Sequence, residues 1–206
     1  MLAAAPRPGN LSRIAPILLL ASSVASLIAS VGCGRPFNVK TQPSLPPARY
    51  AETTTVDSIS IGVQPITDED LLYDTFDANL IAAGLLPVRV MMTNTGSEPV
   101  DVSETRFEVE AGSQHYKAVD ARKAFKRLMS YYEVTAYNKS GYKDSLEAFT
   151  AYSFDLKTPL EGNKSRQGLV FVMMPEEVAR QTGLRMIISK LGKNQSKQGD
   201  IELRLN

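Results

Sequence analysis

Few side chains in this 206-residue chain are suited to catalysis or metal binding, because it has one cysteine, Cys33, and one histidine, His115. One residue of each type does not make the cluster of Cys and His ligands that zinc sites use. A Ser-His-Asp triad would have to use His115, which follows a short polar turn and is more typical of a surface position on a strand. We therefore predict no catalytic, cofactor-binding or metal-binding residue, and we expect that the protein is not an enzyme.

Acidic side chains are concentrated in one short segment. The densest group comprises Asp68, Glu69, Asp70, Asp74 and Asp77. Ca²⁺ requires several oxygen ligands, but the spacing here differs from an EF-hand loop and lacks its turning glycine. Thr67 with a carboxylate three residues later is typical of a helix start, where acidic side chains also favour the positive end of the helix dipole. We interpret the group as helix-capping.

Cys33 follows a segment that is typical of an export signal. Arg7 and Arg13 precede a charge-free stretch over residues 14–32. Such a stretch, rich in Ser, Ala and Pro, fits the apolar region of a signal peptide better than a membrane-spanning helix of about 20 strongly apolar residues. Ser30, Val31 and Gly32 then lead to the cysteine. These residues resemble the lipobox of bacterial lipoproteins, with Ser30 in the position that is usually Leu.

The lipobox resemblance implies that residues 1–32 are a signal peptide, and that Cys33 carries a diacylglycerol and an acylated amino terminus after cleavage. Each buried methylene contributes about 0.8 kcal/mol, so two or more acyl chains give stable anchoring. We expect a membrane-anchored, extracytoplasmic protein, at the outer membrane of a diderm cell or on the outer face of a single membrane. The mature chain would keep 21 basic and 22 acidic residues, which leaves no basic surplus for binding nucleic acid.

Beyond Cys33 the composition predicts a tether and then one folded domain. Residues 33–54 include four prolines and few large apolar side chains, and they predict an extended linker. From residue 55 onward, period-two alternation and frequent turns predict strands. Leu86, Val88, Val90 and Met92 share one face of such a strand, while the apolar run at residues 168–173 predicts a central buried strand.

Helical signals interrupt this β pattern. A helical period runs over residues 70–83, where Thr75 is a candidate second cap and Gly84 a stop. An insertion is predicted over residues 120–151, with an amphipathic helix from Asp120 followed by an exposed loop over residues 131–145. Residues 146–156 fit either a helix or a strand, and a short helix is predicted after Pro175.

Three segments resemble the uncharacterised immunoglobulin-like domains of exported bacterial lipoproteins: residues 86–90 leading into the turn at 94–99, residues 168–172, and the closing strand at 201–205. The resemblance implies a mainly β fold, an immunoglobulin-like antiparallel β-sandwich with short helical insertions. An irregular α+β domain is the alternative. Many functions share such sandwiches, so the fold does not predict an activity.

The insertion is the most promising interaction surface, because binding residues concentrate on loops held by a rigid scaffold. The candidate residues are Arg122, Lys123, Lys126, Arg127, Tyr131, Tyr137 and Tyr142. The basic stripe fits anionic lipid headgroups or a polyanion, or else a solvated helix face. The tyrosines fit a partner or glycan surface, or else a loop folded back on the core.

These features together predict a lipid-anchored cell-envelope protein that presents a non-catalytic interaction or structural domain. Its expected partners are the membrane, through the lipid, and an envelope protein. Two alternatives stay open: an envelope hydrolase with two inward carboxylates, and a carrier that binds a small ligand or ion in a cavity between the sheets.

Overall fold

A computed structural model describes residues 34–41, 49–50, 52–192 and 200–205. The predicted signal peptide and Cys33 lie outside these residues. The described residues from Arg35 onward belong to one compact unit. In this part of the chain the strands are β1 (Glu52–Val56), β2 (Ile59–Pro65), β3 (Leu85–Asn94), β4 (Arg106–Ala111), β5 (Gln114–Val119), β6 (Ser165–Met173), β7 (Arg185–Ser189) and β8 (Ile201–Arg204). The helices are α1 (Glu69–Phe76), α2 (Ala121–Tyr131), α3 (Lys139–Thr150) and α4 (Glu176–Ala179).

The eight strands pair antiparallel in the order β1-β2-β3-β6-β5-β4-β7-β8. Strand β5 belongs to both halves of this sheet, because its first residues pair with β4 whereas Ala118 and Val119 pair with β6. The outer strands β1 and β8 approach each other, and the Arg204 N–H donates to the Glu52 carboxylate over 2.5 Å. The predicted fold class, a mainly β antiparallel sandwich with short helical insertions, is confirmed.

Strands β3 and β6 form the centre of the fold and are covered on both faces. The predicted set Leu86, Val88, Val90 and Met92 is fully buried on one face. On the other face Arg89 is also buried, because the segment around Tyr50 lies over that side, as does Phe149 of α3, which stacks on Phe171. Burial lowers the pKa of the Arg89 guanidinium, an effect that the nearby Tyr50 opposes. The prediction of a central buried strand at residues 168–173 is confirmed.

Helix α1 is shorter than the sequence pattern predicts. It ends at Phe76 because Asp77 adopts a left-handed conformation with φ 56°. The chain then forms a turn in which the Asn79 side chain accepts from the Ala82 N–H. The helix does not restart at Thr75, although the sequence pattern predicts that it does. Asp68, one residue later than the predicted Thr67, caps the helix by accepting from Leu71 N–H at 3.0 Å. No helix among the described residues is long and apolar enough to cross a membrane.

The insertion contains two helices. Helix α2 is confirmed, with Asp120 as its cap. The predicted loop over residues 131–145 is wrong from Lys139 onward, where Asn138 caps α3. Gly141, Ser145 and Phe149 give α3 a buried face, which the polar residues around them conceal in the sequence.

A hairpin replaces the single strand that the alternation over residues 56–63 predicts. Asp57 has φ 52°, so the chain turns there and β1 pairs back onto β2. The short apolar runs near Val100 and Leu160 form a single bridge with each other. Local alternation therefore indicated extended structure over residues 56–63, whereas the turn at Asp57 divided it between β1 and β2.

Candidate interaction surface

Residues 35–41 lie in the predicted tether, yet the structure packs them against the helices. Phe37 and Val39 are 4% and 7% exposed, since their alternate positions in an extended chain place both on one side. The Phe37 ring contacts Phe125 of α2 at 5.6 Å and Tyr132 at 5.9 Å between centroids, both edge-on. This part of the predicted linker is therefore folded.

Polar contacts fix the same segment to α3. The Ser145 hydroxyl donates to the Phe37 carbonyl at 2.7 Å, and Arg35 forms an ion pair with Asp144 at 3.2 Å. Just beyond α3, the Tyr152 hydroxyl donates to the Lys40 carbonyl at 2.9 Å.

Further contacts fix it to α1 and the residue that ends that helix. The Lys40 N–H donates to the Thr75 carbonyl at 2.9 Å, and the Lys40 side chain pairs with Asp74. The Asn38 N–H donates to the Asp77 carboxylate at 3.0 Å. Together with the ring contacts to α2, these bonds tie the segment to all three large helices.

Several tyrosines lie on or near the helices that hold this segment. Among the described residues, the large apolar side chains that remain exposed are Tyr73, Tyr131 and Tyr137, at 50%, 45% and 39%. Tyr137 stacks on Tyr142 at 5.3 Å, and Tyr142 packs edge-on against Phe125 at 5.7 Å. Of the three predicted tyrosines, Tyr131 and Tyr137 thus face outward, while Tyr142 is half-buried beneath Tyr137.

Tyr132 links the tyrosines to the fold. Its hydroxyl oxygen accepts from the Asn79 N–H at 2.8 Å and its ring contacts Tyr131 edge-on at 5.0 Å. The Tyr132 hydroxyl also lies 3.5 Å from that of Tyr73 on α1. Burial, together with the hydrogen bond to Tyr73, raises the pKa of Tyr132 to about 12.

The predicted basic stripe occupies the exposed side of α2. Arg122, Lys123, Lys126 and Arg127 are exposed, and the helix contains no acidic residue. None of the four forms an ion pair with another described residue, although Arg127 Nε donates to the Ala83 carbonyl at 2.8 Å. The basic charge of α2 is therefore not neutralised within the described part of the domain.

We group the stripe with these tyrosines, which lie on or beside the helices, and call the set the aromatic–basic surface. It comprises Tyr73, Arg122, Lys123, Lys126, Arg127, Tyr131, Tyr137 and Tyr142. Tyr131 follows Arg127 by one helical turn, and Tyr132 joins α2 to Tyr73. The sequence prediction missed Tyr73 and the role of residues 35–41; the alternation of Phe37 and Val39 was the available signal.

The acidic group around α1 is used for capping and pairing. Asp68 caps the helix, and Asp74 and Asp77 bind the N-terminal segment. Glu69 accepts from Asn79 Nδ2 at 2.7 Å and pairs with Arg180 at 2.5 Å. Within the described ranges, no three His, Cys, Asp or Glu residues are grouped so that they could hold a metal ion.

His115 lies on β5, about half exposed, directly across from Glu110 of β4. Its two ring nitrogens are each 3.8 Å from a carboxylate, those of Glu108 and Glu110. Glu110 also pairs with Arg185, which in turn pairs with Glu202 at 2.6 Å. These charges form a network within the β4-β7-β8 part of the sheet.

No protein-family model matches the chain, and no curated protein matches it. Three solved structures are similar in part. The yjhA protein from Bacillus subtilis has a TM-score of 0.40 and 12% identity, over 76% of this chain and 98% of that one. A putative lipoprotein, ycdA, from Bacillus subtilis subsp. subtilis str. 168 has a TM-score of 0.38 and 14% identity, over 74% of this chain and 38% of that one. An uncharacterized beta-sandwich protein from Clostridium difficile 630 has a TM-score of 0.37 and 12% identity, over 82% of this chain and 97% of that one.

At these scores the likeness does not bear on activity, substrate or partner. The fold described above rests on the strand pairing of this chain, and the surface described above rests on its own contacts.

Proposed function

We propose that this protein is a lipid-anchored, non-catalytic protein of the cell envelope, which binds its partner through the aromatic–basic surface. The observation that carries the proposal is the folded segment at residues 35–41. This segment begins two residues after Cys33 and packs against α1, α2 and α3. The unpaired cations and the exposed tyrosines lie on or beside the same helices.

The lipid anchor is supported by the residues around Cys33. A charge-free stretch, the small residues Val31 and Gly32, and a cysteine with no second cysteine to pair with all fit the lipobox pattern.

A binding role for the aromatic–basic surface is supported by its composition. Tyrosine combines a large contact area with a polar tip and is enriched in binding interfaces. Unpaired cations on the adjacent helix face provide complementarity to an anionic partner. Both features lie on helices, or in the loop before α3, and these helices are held in place by buried aromatic rings, so the surface is presented by a rigid scaffold.

The anchor is tested by Cys33→Ser in cells that are supplied with a radiolabelled fatty acid. We expect the variant to lose the label and the processed form, because the sulfur that accepts the diacylglycerol is missing. Ser30→Leu, which restores the usual lipobox residue, is the matched control and should remain labelled. Labelling and processing of the Cys33→Ser protein at the wild-type level would refute the anchor.

The surface is tested separately by placing a photocrosslinking residue at Tyr131 or Tyr137 in cells. The control position is Lys164, an exposed residue whose carbonyl accepts from the N–H of Asn94, the last residue of β3. Gly84 precedes β3 and lies next to Ala83, whose carbonyl accepts from Arg127. The length of β3 therefore puts Lys164 roughly 30 Å along the strand from this end of the aromatic–basic surface. We expect adducts to lipid or to protein from the two tyrosine positions and none from Lys164. Adducts absent from all positions would contradict a binding role for this surface.

A further inference from the structure

We propose that the partner of the aromatic–basic surface is the anionic phospholipid bilayer that holds the anchor, so that α2 lies against the lipid headgroups. This inference rests on the proposed function, because it needs the lipid on Cys33. It replaces the picture of a domain held at a distance on a flexible tether with that of a domain lying on the membrane.

Covalent reach gives the first argument. Only Gly34 separates Cys33 from Arg35, and an extended chain of two residue steps spans about 7 Å. Arg35 is paired with Asp144 of α3, and Phe37 is buried against α2. A lipid on Cys33 therefore holds the bilayer surface near the helices, whereas a free linker over residues 33–54 would allow any orientation.

Charge gives the second argument. The exposed side of α2 carries four basic residues, no acidic residue and no ion pair to other described residues. Each basic residue near an anionic lipid surface increases the affinity roughly fivefold. The neighbouring cations Arg35 and Lys143 are already paired, with Asp144 and Glu147, whereas the four basic residues of α2 form no ion pair with another described residue.

Exposed tyrosines give the third argument. Tyr and Trp are enriched where a protein meets the headgroup region, since the ring is apolar and the hydroxyl is polar. Tyr131 lies one turn beyond Arg127 on α2, and Tyr73 and Tyr137 extend the region to α1 and to the loop before α3. A bilayer that holds the anchor requires the basic residues and the exposed tyrosines to lie on the same side of the domain as the anchor. A soluble partner has no such requirement.

The test uses the lipidated full-length mature protein in vesicles of phosphatidylcholine, with or without phosphatidylglycerol. A membrane-impermeant amine acylating reagent is applied, and the rate at each lysine is read by mass spectrometry. We expect Lys123 and Lys126 to react several-fold more slowly on the anionic vesicles, while Lys164 reacts at the same rate on both. Added salt should remove the protection, because it screens the charges.

A charge-reversed variant sharpens the test. Arg122→Glu keeps both reporter lysines and should remove most of the protection at Lys123 and Lys126. Lys157→Glu makes the same change of charge at an exposed position outside the aromatic–basic surface, and it should leave the protection intact.

The outcomes separate the two proposals. Equal acylation of Lys123 and Lys126 on both kinds of vesicle would overturn the bilayer proposal, with the anchor unaffected. A crosslinked protein at Tyr137 together with equal acylation would identify a protein partner instead. Failure of the anchor appears independently, as persistence of fatty-acid labelling in the Cys33→Ser protein.

Discussion

The central strands β3 and β6 are covered by two layers that differ in chemistry. On one side, α1, α2 and α3 pack through aromatic rings, with Phe149 in contact with Phe76, Phe125 and, at 4.7 Å, Phe171 of β6. The sheet layer, formed by β4, β7 and β8, instead buries mainly aliphatic side chains such as Ile188.

The two layers also differ in how they use surface charge. In the sheet layer, Arg185 is held between Glu110 and Glu202. In the helical layer, the four basic residues of α2 have no such partners among the described residues. The Arg185 network of the sheet layer is thus balanced by carboxylates within the domain, whereas α2 in the helical layer retains unpaired basic charge.

The largest effect is expected at the centre of the helical layer. Phe149→Ala should lower the free energy of unfolding by about 3–5 kcal/mol, because it removes a buried ring and leaves a cavity between α1, α2 and β6. Urea denaturation followed by circular dichroism measures the loss. Tyr137→Ala, an exposed ring in the same layer, should cost less than about 1 kcal/mol. Similar costs for the two variants would contradict an aromatic core.

The next effect concerns the N-terminal segment. Phe37→Ala should cost about 2 kcal/mol, less than a central core ring because a terminal segment can detach on its own. Amide hydrogen exchange should accelerate at Asn38 and Lys40 and stay slow in β3. Asn38→Ala is the control, since its side chain is exposed and only its main-chain N–H binds Asp77. No change in exchange for Phe37→Ala would mean that residues 35–41 form a free tether.

The raised pKa of Tyr132 predicts that the folding stability decreases at alkaline pH. Its pKa is raised from 10.0 to about 12 in the folded protein, so folding favours the protonated hydroxyl. The associated stability is complete below pH 10 and is lost as the pH rises through 12. Tyr132→Phe should remove this loss, which is measured by denaturation at a series of alkaline pH values. An unchanged pH profile in the variant would show that another group is responsible.

The smallest effects are expected at the surface, where the layers should respond in opposite ways. Arg185→Gln should lower stability at low salt, since it leaves Glu110 and Glu202 without their shared cation. Lys126→Gln should leave stability unchanged or slightly higher, because it reduces repulsion between like charges on α2. Thermal denaturation at low and high salt measures both. A larger loss for Lys126→Gln would indicate an unrecognised internal partner and would weaken the comparison.

Much of the sheet could be predicted from sequence, because the signals for it are local. Alternation identified the buried face of β3, and the apolar run identified β6. The end of α1 could not be predicted, since a left-handed Asp77 ended the helix before the periodicity did. The loop prediction across α3 failed because its buried positions are occupied in part by Gly141 and Ser145, which carry no hydrophobic signal.

The interaction surface was predicted only in part. The basic stripe was identified by helical spacing, and Tyr131, Tyr137 and Tyr142 were identified by residue type in a predicted loop. Tyr73 is distant in sequence, and it reaches the others only because Tyr132 lies against the turn after α1. Similarly, the Glu110–Arg185–Glu202 network depends on strand neighbours that are not adjacent in sequence.

By itself, the sequence determined the alternation of the central strands, the start of α2 at Asp120 and the resemblance of Cys33 to a lipidated cysteine, because each depends on a few neighbouring residues. Only the tertiary structure decided that residues 35–41 belong to the domain. Phe37 is an ordinary residue of a proline-containing segment until Phe125, Tyr132 and Ser145, about 90 to 110 positions away, form the site that buries it. Burial is a property of the assembled fold, since it depends on which distant surfaces meet.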